Sequence, residues 1–231
     1  NSPLIGRELS SFTVAEDSIY RTVAISREGK TIIPHGTDSY MVDDMLYVIA
    51  RHDMLSEVAA LTGMHATYAP TIDYRGGKYG IGMLTREKPI SYRQVPLPCR
   101  SEPRALLIVE LEDYYYCCTH LSLHEEDRIT SVAIIIDELS KLDKPAIIAG
   151  DFNALPNSFP MMALGRKFHI FEKSGTPYTF PANEPKREID YVALYTGGGA
   201  TAEVVEHRVL SAPVESDHAP MVAEVVITPA K

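Results

Sequence analysis

The chain has 231 residues, with 22 Lys and Arg against 31 Asp and Glu, giving a formal net charge of −9. Hydrophobic residues at 45% and charged residues at 23% exclude a largely disordered chain. The acidic balance speaks against the broad basic face that non-specific duplex binding needs.

The length allows one large domain, or a medium one with a small companion. No apolar run approaches the ~20 residues that span a bilayer. Cys99, Cys117 and Cys118 are too few for full pairing, and none shows zinc-ligand spacing. Adjacent Cys117 and Cys118 in a strand point to opposite faces. The first residue, Asn1, opens no basic-then-apolar leader. The compartment stays open: cytoplasmic if the front segment is native, periplasmic or secreted if a leader was removed upstream.

In chain order, Pro3–Leu9 reads as a short helix with Ser2 as N-cap. Residues 20–25 alternate as a strand, Glu28-Gly29 turns the chain, and residues 31–33 form the hairpin partner. Residues 45–50 are a continuous apolar strand, and Leu55–Leu61 a helix closed by Gly63. We read residues 1–54 as a small α+β unit and 55–231 as a second domain.

In the second domain, Gly76–Gly80 is predicted as a loop entering a strand at Ile81–Leu84. Tyr74, Arg75 and Lys78 lie there as a solvated loop, or as groups within reach of a phosphate. Residues 106–111 and 114–119 are strands joined by a turn at Glu112-Asp113. Residues 125–142 form an amphipathic helix with the stripe Ile129, Val132, Ile135, Ile136 and Leu139. Residues 146–149, 178–180, 189–195 and 219–226 complete the strands. The pattern predicts an α/β fold, a two-sheet sandwich with helices outside.

Four segments put polar groups at strand ends: Thr119-His120-Leu121, Gly150-Asp151-Phe152-Asn153, Ile189-Asp190-Tyr191 and Ser216-Asp217-His218. Each alone also fits a structural role. Gly150-Asp151 can be an Asx-capped turn, and His120 a satisfied structural histidine. Asp217-His218 can be an ordinary loop, whereas Asp190 between two apolar residues needs a partner. Together they supply what phosphate-ester hydrolysis requires. Carboxylates hold a hard divalent cation, a carboxylate or imidazole takes a proton from water, and amide or imidazole donors stabilise developing charge.

The strings AIIAGDFNALPNS, CCTHLSL, REIDYVAL and SDHAPMVAEV, with YGIGMLTREKPI ahead of them, resemble the endonuclease/exonuclease/phosphatase superfamily over about residues 55–231. The resemblance implies phosphoester hydrolysis with Mg²⁺ or Mn²⁺. By motif, Asp151 orients or activates water and shares the metal site with Asp217. Asn153 and His120 hold the phosphate. His218 faces the scissile group, oriented by Asp190. That family opens with a strand ending in Asn and another ending in Gln-Glu, the Glu being its principal metal ligand. Neither is present here. Arg51-His52-Asp53 follows residues 45–50, with Asp53 as the only nearby stand-in.

The front segment, NSPLIGREL, YRTVAISREGKTIIPHGT and VDDMLYVIA, resembles the C-terminal regulatory domain of TrkA-type potassium transport proteins. That resemblance implies pairing as a homodimer through residues 1–54 and a small effector such as a cyclic dinucleotide. Asp43-Asp44 departs from its usual Gly-Asp turn. Two functions follow: a metal-dependent phosphoesterase acting on a small, sugar or lipid phosphate, or a regulatory ligand-binding protein with an inactive hydrolase-like body.

Overall fold

The computed structural model describes residues 20–27, 30–32, 45–50, 55–74, 77–211 and 216–230. The expected helix at Pro3–Leu9, the turns at Glu28-Gly29 and Asp43-Asp44, and Asp53 lie outside them. Strands β1 (Tyr20–Arg27), β2 (Lys30–Ile32) and β3 (Met45–Ala50) form an antiparallel sheet in the order β2-β1-β3. Among the described residues it shares no strand pairing with the rest.

The principal sheet has six strands, ordered β10-β11-β9-β8-β7-β6. They are β6 (Ser91–Leu97), β7 (Arg104–Glu110), β8 (Tyr115–His120), β9 (Ala146–Asp151), β10 (Phe168–Ile170) and β11 (Asp190–Tyr195). All neighbours are antiparallel except β8 and β9. Parallel neighbours need a long crossover, and helix α2 (Glu125–Leu139) supplies it.

Strand alternation divides the side chains between two faces. On one face Leu106, Ile108, Cys117 and Ile148 pack with Val132, Ile135 and Leu139 of α2 and with Met161 and Leu164 of α3 (Phe159–Leu164). The predicted stripe of α2 is right at its centre, and Ile129 and Ile136 are only half-buried at its borders. Cys118, next to Cys117, packs on the opposite face, as alternation requires. All three cysteines are free.

That opposite face is covered by two hairpins. One is β4 (His65–Tyr74) with β5 (Gly77–Thr85), whose Ala69, Met83 and Ile81 meet Leu107, Val109 and Leu111. The other is β12 (Thr201–Val209) with β13 (Met221–Thr228), whose Val204, Val225 and Ile227 meet Ile147 and Leu194. Helix α1 (Leu55–Thr62) packs on β4. The result is an α/β fold with a central mixed sheet and helices outside. Among the described residues the two hairpins share no strand pairing with each other. An open groove of about 690 Å³ lies beside β13, lined by Tyr114, Tyr116, Ile147, Val192, Val225 and Ile227.

Several elements differ from the sequence reading. The supposed loop at Gly76–Gly80 is mostly the start of β5, because Lys78 and Tyr79 pair with Asp73 and Ile72 of β4. Lys78 there forms an exposed ion pair with Asp73 at 2.6 Å. Residues 178–180 are not a strand. Phe180 makes only a single bridge to Arg187, since Pro181 has no N–H to extend a ladder. Strands β4, β6, β10 and β12 and helix α3 escaped prediction. In β12 half-buried Ala202 and Val204 alternate with exposed Thr201, Glu203 and Val205, and Glu206 is half-buried beyond a register shift.

Candidate active site at the strand ends

β8 and β9 run parallel, so their carboxyl ends reach the same edge of the sheet. β11 runs antiparallel to β9 and begins at that edge. Register then sets three residues in a row: His120 is opposite Asp151, and Asp151 is opposite Asp190. Ligands bind at the carboxyl ends of strands in such sheets because side chains there are released from packing.

Local sequence fixes each carboxylate. Gly150 has φ 153°, and a Cβ on it would sit 2.0 Å from the Thr119 carbonyl oxygen. β8 and β9 approach this closely only because the position is glycine. Phe152 and Tyr191, both fully buried, pack edge to face with centroids 5.7 Å apart. They anchor the chain on either side of the site, so Asp151 and Asp190 turn outward. The Tyr191 hydroxyl lies 2.8 Å from the Ala154 carbonyl and 2.9 Å from that of Glu188. Burial raises the Tyr191 pKa above its usual range.

The Asp151 Oδ1 accepts a hydrogen bond from the Asn153 N–H at 2.7 Å, and Asn153 occupies the left-handed region with φ 49°. Asn tolerates that conformation better than most residues. The Asn153 Nδ2 donates to the Leu121 carbonyl at 3.0 Å, tying the loop after β9 to the loop after β8.

His218 arrives from the segment ahead of β13. Ala182 N–H donates to the Asp217 carbonyl at 2.8 Å, and Ala219 N–H to that of Thr179 at 2.7 Å. The Phe180 ring lies 4.9 Å from the His218 ring, centroid to centroid. So held, His218 Nδ1 is 2.8 Å from Asp190 Oδ2, and its Nε2 is 3.8 Å from Asp151 Oδ2. His120 Nε2 is 3.3 Å from the same Asp151 oxygen.

These groups perturb one another. Burial, then the Asp190 charge, raises the Asp151 pKa to about 6. The hydrogen bond to Asp190 raises the His218 pKa despite its partial burial. Burial, then the Arg104 charge, lowers the His120 pKa to about 4, so its ring is neutral at physiological pH. Perturbed groups of this kind concentrate where proteins do chemistry.

Ligand atoms of Asp151, Asp190 and His218 all lie within 4.8 Å of one another. Two carboxylates converging at a part-buried edge fit a hard divalent cation, which would offset the burial and the Asp190 charge that raise the Asp151 pKa. Asp217, expected as a metal ligand, is exposed and stands outside this group, its Oδ1 3.5 Å from Ser216 Oγ. Its backbone carbonyl pins the loop, and its carboxylate charge still acts on the His218 and His120 rings. Asp151, Asp190, His120 and His218 are brought together as expected, with Asn153 bonded to Asp151.

Arg104 escaped the sequence reading. Its side chain is 8% exposed, and Nη1 lies 3.3 Å from His120 Nδ1. The signal was present: an arginine opening the apolar run that continues to Val109 has to find a buried partner.

The Endonuclease/Exonuclease/phosphatase family model matches residues 37–218. The chain belongs to the endonuclease/exonuclease/phosphatase family. Solved structures agree on the fold of this family. An endonuclease/exonuclease/phosphatase from Bacteroides vulgatus aligns with a TM-score of 0.64 and 16% identity, over 77% of this chain and 82% of that one. The human Nocturnin catalytic domain with bound sulfate gives 0.62 and 18%, over 77% of each chain. A mannosyl-6-phosphatase from Bacteroides thetaiotaomicron gives 0.60 and 17%, over 75% of this chain and 81% of that one. No curated protein sequence matches the chain significantly.

The family match begins at residue 37, inside the segment read as a TrkA-type regulatory unit. Nothing in the comparisons supports that second resemblance, nor the dimer and cyclic-dinucleotide effector it implied. Among the described residues, no helix is long and apolar enough to cross a membrane.

Proposed function

We propose that the chain hydrolyses small phosphate esters, with Asp151 and Asp190 as the carboxylates that hold a Mg²⁺ or Mn²⁺ ion. The observation that carries this reading is the row His120–Asp151–Asp190 across three neighbouring strands, completed by His218 at 2.8 Å from Asp190. When bound, the cation supplies Lewis-acid polarisation of a phosphoryl oxygen.

The chain's own groups divide the remaining work. Asp151, at the centre of the row between His120 and Asp190, orients and deprotonates the attacking water. Asp190 accepts the His218 Nδ1–H, which leaves Nε2 directed toward the reacting phosphate. His120 and Asn153 contribute donors to phosphoryl oxygens.

Substrate size follows from charge. A chain of net charge −9 repels a long polyanion more than a compact phosphate ester. A sugar phosphate is the class the mannosyl-6-phosphatase neighbour is named for, and it fits this reading.

The test is turnover of p-nitrophenyl phosphate and bis-p-nitrophenyl phosphate by the full chain. Activity is expected with Mg²⁺ or Mn²⁺, and loss with EDTA and in Asp151→Asn. No turnover of either ester in any metal overturns the proposal and leaves the regulatory, non-hydrolytic alternative.

A further inference from the structure

Arg104 opens β7 beside His120, buried except for 8% of its side chain. Its three nitrogens meet different surroundings. Nη2 lies 3.3 Å from Glu102 Oε2, Nη1 lies 3.3 Å from His120 Nδ1, and the buried Nε has no hydrogen-bond partner. A guanidinium carries donors only and keeps its proton throughout the accessible pH range. The contact with His120 therefore has one polarity: Arg104 donates, and Nδ1 accepts. An imidazolium offers no acceptor, so the ring in this contact is neutral, and its one hydrogen sits on Nε2. Nε2 is the nitrogen that faces Asp151 Oδ2 at 3.3 Å.

We propose that Arg104 is a positioning residue that holds His120 in its Nε2–H tautomer, so that a fixed N–H donor points into the cluster of Asp151, Asp190 and His218. The alternative Nδ1–H tautomer would set two donors against each other at 3.3 Å and turn a lone pair toward the Asp151 carboxylate. Both penalties fall inside a part-buried site, where unmatched polar groups are costly. His120 then serves as a donor to a phosphoryl oxygen and not as a base. Its use in catalysis rests on the phosphoesterase reading above; its tautomer does not.

Lysine can donate to Nδ1 but lacks the planar fork that also reaches Glu102, so Arg104→Lys keeps part of the effect. Arg104→Met keeps the apolar stem and removes the donor altogether.

The test is ¹H–¹⁵N correlation of the imidazole rings in the full-length chain at neutral pH, with the His120 signals assigned by their loss in His120→Gln. Expected in the unsubstituted chain is a protonated, pyrrole-type Nε2 and an acceptor-type Nδ1. Arg104→Met should draw the two nitrogen shifts together as both tautomers become populated, with Arg104→Lys in between. The kinetic counterpart is a kcat reduced by roughly 10- to 100-fold at nearly unchanged KM, the size seen when the partner orienting a functional histidine is lost. A pyrrole-type Nδ1 in the unsubstituted chain, or shifts unaltered in Arg104→Met, overturns the proposal. If Arg104→Met fails to fold, the unsubstituted chain and Arg104→Lys still decide it. A chain without phosphoesterase activity can still show the Nε2–H tautomer, so failures of the two readings are distinguishable.

Discussion

Asp190 and His218 lie 28 residues apart in sequence and 2.8 Å apart in space, joined through Oδ2 and Nδ1. The pair raises the His218 pKa, and the hydrogen bond is the largest cause. Asp190→Asn replaces a charged acceptor with a neutral amide. The His218 pKa should fall, as read from its ring-proton shifts in an NMR titration. Turnover should fall by about 10²- to 10⁴-fold, the usual contribution of a positioned acid or base. An unchanged His218 titration would show that the 2.8 Å contact carries no charge assistance.

Metal and pH act together on Asp151. Its folded pKa of about 6 exceeds the ordinary 3.8, so the folded chain holds more protons than the unfolded one between those values. Without metal, the Asp151 contribution to stability therefore falls as pH rises through that window, by on the order of 3 kcal/mol, against an opposite contribution from His120, whose pKa is lowered to about 4. A bound cation reverses the trend, because it favours the carboxylate and stabilises only the folded chain. The difference in urea stability between the unsubstituted chain and Asp151→Asn, in which the His120 contribution largely cancels, should decline from pH 4 upward in EDTA and lose that decline in saturating Mg²⁺ or Mn²⁺. Asp151→Asn by itself should show no metal response.

Gly150→Ala tests the close approach of β8 and β9. The new Cβ would lie 2.0 Å from the Thr119 carbonyl oxygen, and backbone must move to relieve it. The expected destabilisation is roughly 2–4 kcal/mol, with activity lost because Asp151 is displaced from the row. An alanine variant of normal urea midpoint would mean that the two strands can separate there at little cost.

Tyr191→Phe separates anchoring from chemistry. It keeps the ring against Phe152 but loses the hydroxyl that reaches the Ala154 and Glu188 carbonyls. Stability should drop by about 1–2 kcal/mol, the cost of a lost buried hydrogen bond. Turnover should fall less than in Asp190→Asn, because the strand register still sets Asp190 opposite Asp151. A loss as deep as that of Asp190→Asn would give the hydroxyl a direct part in the chemistry.

Much of the fold was legible where local rules suffice. The apolar periodicity of α2, the buried runs of β7 and β9 and the turn at Glu112-Asp113 all follow from side-chain spacing and turn chemistry. Strand β4 was missed because Pro70, Thr71 and Asp73 interrupt its pattern. Its pairing with β5 shifts register between Pro70 and Ile72 to accommodate the proline. Tyr178-Thr179-Phe180 reads as strand-like by residue type, yet it belongs to the loop that supports His218.

The sequence by itself determined which side chains stand at strand ends. Gly150 before Asp151, and the apolar pair Ile189 and Tyr191 around Asp190, leave those carboxylates no place in the core. Only the tertiary structure decided who meets whom. Parallel pairing of β8 with β9 and antiparallel pairing of β9 with β11 set His120, Asp151 and Asp190 side by side. The same long-range contacts seated Arg104 on His120 and left the Asp217 carboxylate outside the cluster. The reason is physical: spacing along a strand repeats locally every two residues, whereas the order and register of strands depend on burying both faces of the sheet at once.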